Sequence, residues 1–197
     1  SGILEEVRFS NTGRYTTNFT PPTGTYTPDA NTVALYHSDD CPANMLTDAS
    51  ANNYHAALQN FSGNCQSVAS QKPGSGNALS FDGVNDIMNA ALQQTAFNNF
   101  TMETWVNPTS STPLPTQSTS GIVGTSGADR YLIFPTNGNA YGNGNTMAGA
   151  GFSVGTNGIC VFEHGDFYLP ALLTWTGTIT GWTHISVVYT NKQPSLY

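Results

Sequence analysis

The chain has 197 residues, of which 9% are charged, and its formal net charge is −7. Its five lysines and arginines are scattered, so a nucleic-acid backbone would find few cationic partners and nucleic-acid binding is disfavoured. No apolar run approaches the ~20 residues that a membrane-spanning helix needs. Neutral polar residues must supply solubility, which is typical of exported proteins, and we expect an extracellular or cell-surface location. The length suffices for one β-sandwich with a hydrophobic core.

The first 31 residues combine a strand pattern with a connector. Residues 1–19 open with the strand-like run ILEEVRF, followed by a polar turn and a tail with spaced aromatics. Glu5 and Glu6 are adjacent, so on a strand their side chains point to opposite faces and cannot act as a pair. Residues 20–31, TPPTGTYTPDAN, lack any period and are rich in proline, which predicts a linker. The next strand is predicted at TVALYH, residues 32–37.

The segment 38–72 has the weakest hydrophobic periodicity and contains the candidate metal ligands. Asp48 and the side-chain amide of Asn52 could offer oxygen ligands to Ca²⁺ within one turn. The alternative is an Asx turn, in which the Asp48 carboxylate accepts hydrogen bonds from nearby backbone N–H groups. Ca²⁺ is the one cofactor that the sequence brings into consideration.

Three cysteines are too few for a disulfide scaffold. In an oxidising compartment Cys41 and Cys65 are the natural disulfide pair, and the alternative is two buried free thiols. Cys160 lies in the apolar run ICVF and is predicted to be a small core residue.

Two strands are predicted at residues 78–81 and 100–106, with a turn at Asp82-Gly83. Period-two alternation places Glu103 and Trp105 together on one face of the second strand. The opposite face carries Phe100, Met102, Thr104 and Val106.

The C-terminal third continues the strand pattern. A loop rich in Gly and Asn, residues 135–149, holds Tyr141. Asn157-Gly158 lies between two apolar runs and predicts a hairpin with a primed two-residue turn. Residues 182–189 alternate in the way expected of a strand with one core face.

Three segments resemble one family. The runs ALSFDGVNDIM (78–88), FTMETWVNP (100–108) and GWTHISVVYTNKQPSLY (181–197) occur in this order. Together they resemble the laminin-G-like, concanavalin A-like lectin family, in the repeat form found in large bacterial surface adhesins. The resemblance implies an all-β fold, an antiparallel two-sheet jelly-roll sandwich.

The resemblance also implies a domain organisation. Residues 32–197 would form the jelly-roll domain, truncated at its C-terminus because the chain ends inside the family's LYvNG motif. Residues 1–19 resemble the closing strand and tail of a preceding repeat, joined by the linker at 20–31. The alternative is that this strand completes the same sandwich, and strand exchange with a neighbouring repeat or chain is a related expectation.

Three functions were considered. The first is a non-enzymatic adhesion or carbohydrate-binding module that binds a glycan or a surface protein through aromatic side chains. The candidate ligand-binding residues are Trp105, Tyr141, Trp175 and Trp182. For each of them the alternative is a core or sheet residue, which the tryptophans in strands favour.

The second function is a structural spacer repeat of an adhesin or extracellular filament, without a ligand of its own. The third is a glycoside hydrolase, whose two carboxyl groups must flank the scissile bond. No two acidic residues occur at positions i and i+2 in this sequence, and Glu103 is the one acidic residue on its strand. We therefore expect no enzymatic activity.

Overall fold

The computed structural model describes residues 1–62, 67–70, 76–92, 98–119, 131–135, 149–164 and 170–197. These ranges hold thirteen β-strands, one short α-helix and a 3-10 turn at Pro42–Asn44. The elements are β1 Gly2–Ser10, β2 Thr32–Tyr36, β3 Met45–Leu46, β4 Ala56–Gln59, β5 Ser67–Ala69, β6 Asn77–Phe81, β7 Ile87–Ala90, β8 Phe100–Pro108, α1 Leu114–Thr119, β9 Gly149–Gly155, β10 Gly158–His164, β11 Leu173–Thr176, β12 Thr183–Thr190 and β13 Gln193–Leu196. Within the described part, no helix is long and apolar enough to cross a membrane.

The chain divides into two compact units. The terminal unit comprises residues 1–107 and 181–197, and the inserted unit comprises residues 108–180. The prediction of an all-β fold with antiparallel sheets in a sandwich-like arrangement is confirmed.

The terminal unit contains a seven-stranded sheet in the order β13-β12-β8-β1-β6-β5, with β2 also paired to β1. The N-terminal part of β1 pairs antiparallel with β6, and its C-terminal part pairs antiparallel with β2. Glu6 lies where the pairing changes, and its φ of 54° marks a local distortion of the strand. The first strand of the chain therefore lies inside the sheet that the later strands build.

Side-chain alternation explains the core of the terminal unit. β12 is rich in β-branched and aromatic residues, which favour strands, and it pairs antiparallel with β8 so that Val187 lies opposite Met102. Both of these side chains are buried, as are Leu79 of β6 and Leu35 of β2. A three-stranded sheet, β3-β4-β7, belongs to the same unit.

The inserted unit contains the three-stranded sheet β11-β10-β9. The β9–β10 hairpin occurs as predicted, but its two-residue loop is Thr156-Asn157, because Gly155 pairs with Gly158. Neither loop residue has a positive φ, so the turn is not of the primed type expected from Asn-Gly. The Asn157 side chain instead bonds the N–H and the C=O of Thr112, each at 2.9 Å. This tertiary contact outweighs the local turn preference.

One face of the inserted sheet packs on α1. Cys160 and Phe162 of β10 form a buried cluster with Leu114, and Tyr131 and Ala171 lie against it. Cys160 is a free, buried cysteine, so its prediction as a core residue is confirmed.

Candidate functional site

A fully buried carboxylate, Glu103, lies in the interior of the seven-stranded sheet. It shares a face of β8 with Trp105, and the register places it opposite Ser186 of β12. Arg8 of β1 donates its Nε–H to Glu103 Oε1 at 2.7 Å. His184 of β12 brings Nε2 to 3.4 Å from Glu103 Oε2. Three neighbouring strands thus supply a carboxylate, a guanidinium and an imidazole, which we call the Glu103 cluster.

Aromatic side chains from the segment after β1 cover the Glu103 cluster. The Tyr15 hydroxyl donates a hydrogen bond to Glu103 Oε2 at 2.8 Å. The Tyr15 ring stacks on Phe19 with a centroid distance of 3.6 Å, and Phe19 packs edge-on against His184 at 5.5 Å. The carboxylate is therefore enclosed by donors and rings and makes no contact with solvent.

The predicted linker at residues 20–31 also lies against the sheet. The Tyr26 ring is buried, and the Arg8 guanidinium carbon lies 4.4 Å from its centroid, a cation–π distance. The Tyr26 backbone N–H donates to Glu6 Oε2 at 2.8 Å. His37 Nδ1 lies 2.9 Å from Glu6 Oε1, so Glu6 holds both the connector and the end of β2.

A second arginine joins the two ends of residues 12–29, which we call the covering segment. Arg14 donates to both carboxylate oxygens of Asp29, at 2.9 Å and 2.8 Å. This bidentate pair lowers the pKa of Asp29 below its ordinary value. The Arg14 backbone N–H donates to Thr101 Oγ1 of β8 at 3.0 Å, which anchors the segment to the sheet.

The electrostatics of the Glu103 cluster favour a permanent ion pair. Burial alone would raise the pKa of Glu103, but its contacts with His184, Arg8 and Tyr15 outweigh burial and lower that pKa. Burial and the Glu103 charge raise the pKa of Tyr15 to about 12. At neutral pH the carboxylate is ionised and the phenol is protonated. The arrangement can hold the covering segment on the sheet.

The structure gives the predicted tryptophans different environments. Trp105 is half-buried, donates its Nε1–H to the Pro22 carbonyl at 3.2 Å and packs edge-on against His184 at 5.4 Å. Trp182, just before β12, is half-buried in the terminal unit. Tyr141 lies outside the described residues, so its prediction as a ligand-binding residue stays a prediction.

Trp175 is the tryptophan that presents the most surface. It lies on β11 in the inserted unit, and 42% of its area is exposed. A β-carbon added at Gly177 would overlap the benzene ring of Trp175, so the indole lies close over this glycine. Leu172, one residue before β11, is also exposed, at 55%. The absence of a side chain at Gly177 thus lets the indole pack against the backbone there, while 42% of its area stays exposed.

Asp48 forms the turn described by the Asx alternative. Its Oδ1 accepts the backbone N–H groups of Leu35 and Ser50 at 2.9 Å and 2.8 Å. Its Oδ2 accepts the Ser50 hydroxyl at 2.7 Å and the Tyr54 N–H at 2.9 Å. Asn52 is exposed, and its Nδ2 donates to a β2 carbonyl at 2.9 Å. A Ca²⁺ ion would have to displace these donors from Asp48, and calcium binding stays a prediction.

Neither the disulfide nor a larger metal site is decided by the described residues. Cys65 lies outside them, so the pairing of Cys41 with Cys65 stays a prediction. In the ranges that the structure describes, no three His, Cys, Asp or Glu side chains are grouped as a metal site would require.

Sequence reasoning placed Glu103 beside Trp105 on one face of its strand, but it predicted neither Glu103 as a site residue nor the residues that surround it. The available signal was the concentration of charge in β1, where Glu5, Glu6 and Arg8 occur in a strand of a chain with only 9% charged residues. Charges inside an interior strand require partners, because an unpaired buried charge is very costly. The identity of those partners could not be read locally, since Arg8 and Glu103 are 95 positions apart.

In comparisons with protein-family models, with curated protein sequences and with solved structures, nothing matched this chain. The laminin-G-like resemblance and the function that it implies therefore stay predictions, and the functional argument depends on the geometry of the site.

Proposed function

We propose that this chain is a non-enzymatic attachment module that binds carbohydrate on the exposed indole of Trp175. The observation that carries the proposal is the environment of this side chain, which is 42% exposed and lies over Gly177. A fixed indole offers a sugar ring a flat apolar surface with one N–H donor at its edge. Because its position is set before binding, little side-chain entropy is lost on association.

The surroundings of Trp175 suit a neutral ligand. The neighbouring Thr174 and Thr176 are exposed hydroxyl residues, and residues 170–180 contain no charge. A neutral ligand that carries hydroxyl groups can therefore bind here without the cost of removing water from a charged side chain. Trp105 suits this role less well, since its N–H already bonds the Pro22 carbonyl.

The buried carboxylates support the non-enzymatic part of the proposal. Glu5, Glu6 and Glu103 are each no more than 1% exposed. Their contacts are separate: Glu5 accepts the Ser70 hydroxyl, Glu6 holds His37 and Tyr26, and Glu103 binds Arg8. Hydrolysis of a glycoside needs two carboxyl groups that flank the substrate from accessible positions, and these three serve the fold.

A glycan array tests the proposal, with wild type, Trp175→Ala and Leu172→Ala compared. Leu172→Ala is the matched control, because it removes exposed apolar area three residues away without touching the indole. We expect Trp175→Ala to weaken binding by about tenfold or more, since losing an aromatic contact costs about 1.4 kcal/mol. Leu172→Ala should bind as wild type does. Equal binding by Trp175→Ala and wild type would remove Trp175 from the site.

A repeat of the array in the presence of a chelator separates the calcium question from the aromatic one. Binding that survives chelation is expected, because the Asp48 oxygens are occupied by protein donors. If wild type binds no glycan with or without Ca²⁺, the spacer function replaces the attachment function.

A further inference from the structure

Among the residues that the structure describes, β11 is an edge strand of the inserted sheet, with β10 as its neighbour. The register pairs Trp175 with Ile159 and Thr174 with Cys160, and the Gly177 N–H donates to the Asn157 carbonyl. In an antiparallel ladder, hydrogen-bonded and non-hydrogen-bonded pairs alternate. The backbone groups of Trp175 therefore face β10, whereas the N–H and C=O groups of Thr174 and Thr176 face away from it.

The outward backbone groups are accessible. Thr174, Trp175 and Thr176 are three consecutive exposed residues. Among the residues that the structure describes, none accepts a hydrogen bond from the backbone N–H of Thr174 or Thr176. An extended chain of another molecule could therefore add to this edge by main-chain hydrogen bonds.

β11 also lacks the features that protect edge strands from pairing. Natural edges carry lysine, proline or inward-pointing charges. β13, an edge of the seven-stranded sheet, contains Pro194 and follows Lys192. The sequence of β11, LTWT, has neither a charge nor a proline.

The sequence of β11 is complementary to itself. About a two-fold axis at Trp175, Thr174 lies opposite Thr176 of a second copy, in hydrogen-bonded pairs. The two Trp175 side chains then meet in the closer, non-hydrogen-bonded pair. Thr–Thr and aromatic–aromatic pairs are both favourable across antiparallel strands, and a neutral strand brings no like charges together. We propose that β11 pairs antiparallel with β11 of a second copy, which joins two three-stranded sheets into one sheet of six strands.

Sedimentation velocity over a concentration series tests the pairing. Wild type should show a concentration-dependent monomer–dimer equilibrium. Thr174→Pro removes an outward N–H and keeps the backbone hydrogen bonds between β11 and β10, and it should raise the dimer dissociation constant at least about tenfold. It also removes the contact between Thr174 Oγ1 and Cys160 Sγ at 3.6 Å, which the Thr174→Ala control removes as well. Thr174→Ala keeps that N–H and should dimerise as wild type does.

A second variant keeps the test valid if the proline variant fails to fold. The double variant Thr174→Lys, Thr176→Lys places lysines opposite each other on the two paired β11 strands and should also abolish dimerisation. Thr20→Lys makes the same change at an exposed threonine of the terminal unit and should leave the dimer intact. A wild type that stays monomeric up to about 1 mM, a dissociation constant typical of weak contacts, would overturn the pairing. Undiminished dimerisation of the double lysine variant would overturn it as well.

This inference shares Trp175 with the carbohydrate proposal, because the two indoles meet in the dimer, but the two proposals can fail separately. Thr174→Pro leaves Trp175 in place, so a monomeric variant that still binds glycan supports both proposals. Wild-type protein that is monomeric and binds glycan overturns the pairing alone. Wild-type protein that dimerises and binds no glycan overturns the carbohydrate function alone.

Discussion

Removing the Glu103 carboxylate should destabilise the terminal unit strongly. In Glu103→Leu, Arg8 keeps its charge but loses its buried partner. The Arg8 side chain is 9% exposed and the Glu103 side chain is 0% exposed, so the pair is a buried one. Breaking a buried pair from one side costs about 3–5 kcal/mol, whereas an exposed pair contributes only about 0.2–1 kcal/mol.

The free energy of unfolding, measured by urea denaturation with tryptophan fluorescence, gives the magnitude. Tyr15→Phe removes the phenol that donates to Glu103 and accepts the Arg8 Nη2–H at 3.5 Å. It should cost less, about 1.5–3 kcal/mol, the range for hydrogen bonds to charged groups. Glu163→Gln neutralises a half-buried carboxylate outside the cluster and serves as the matched control. It should change the free energy of unfolding by less than about 0.5 kcal/mol.

A double-mutant cycle separates the ion pair from general damage to the core. Arg8→Met combined with Glu103→Leu removes both charges of this pair, and apolar replacement of a buried pair is often close to neutral. Arg14, whose Nε lies 3.7 Å from Glu103 Oε1, keeps its bidentate pair with Asp29. The sum of the stability losses in the two single variants should therefore exceed the stability loss in the double variant by about 2 kcal/mol or more. Additive losses, or a cost of Glu103→Leu below about 1 kcal/mol, would refute the assignment of Glu103 as the charge that holds the covering segment.

Three further predictions concern the other polar features. The hydrogen bond that His37 donates to the Glu6 carboxylate raises the pKa of His37. This pair therefore stabilises the fold fully below the unfolded histidine pKa of about 6.5 and loses that effect as pH rises through the folded value. Between pH 6 and pH 8 wild type should lose more stability than His37→Asn, and parallel pH profiles would contradict this. Asp48→Ala should lower the free energy of unfolding by about 2–3 kcal/mol, because four hydrogen bonds to the Asp48 carboxylate are lost. Ca²⁺ should not raise the melting temperature of wild type. A calcium-dependent rise in that temperature that is lost in Asp48→Ala would favour the metal site. Alkylation of the denatured, unreduced chain should label one cysteine by mass spectrometry and three after reduction, whereas three labels without reduction would exclude the disulfide between Cys41 and Cys65.

Local patterns were sufficient for most of the strands and for one hairpin. Alternation in the sequence placed Glu103 and Trp105 on one face of β8, and the structure has them there. The same pattern could not say that this face is covered, because its cover comes from residues 12–29. A proline-rich segment without a period is typical of a linker, but Tyr26 within it is buried by contacts with Arg8 and Glu6.

The tryptophans show the same division. Trp105 and Trp175 both occur in strand patterns with threonine neighbours. Trp105 is half-buried because an interior strand brings it beside His184 and under the Pro22 carbonyl. Trp175 is exposed on β11, which has a strand neighbour on one side only in the part of the chain that the structure describes. Which of them can contact a ligand depends on strand order, and strand order is not a local property.

By itself, the sequence determined that the chain forms antiparallel strands with few charges, because alternation with a period of two and β-branched content are local properties of neighbouring residues. The tertiary structure alone decided that β1 pairs between β8 and β6, that Glu103 contacts Arg8, and that β11 has β10 as its one strand neighbour among the described residues. These outcomes depend on pairings between residues far apart in the chain, and no short window of sequence contains both partners. Each pairing must offset the cost of burying charge and the entropy cost of closing a long loop.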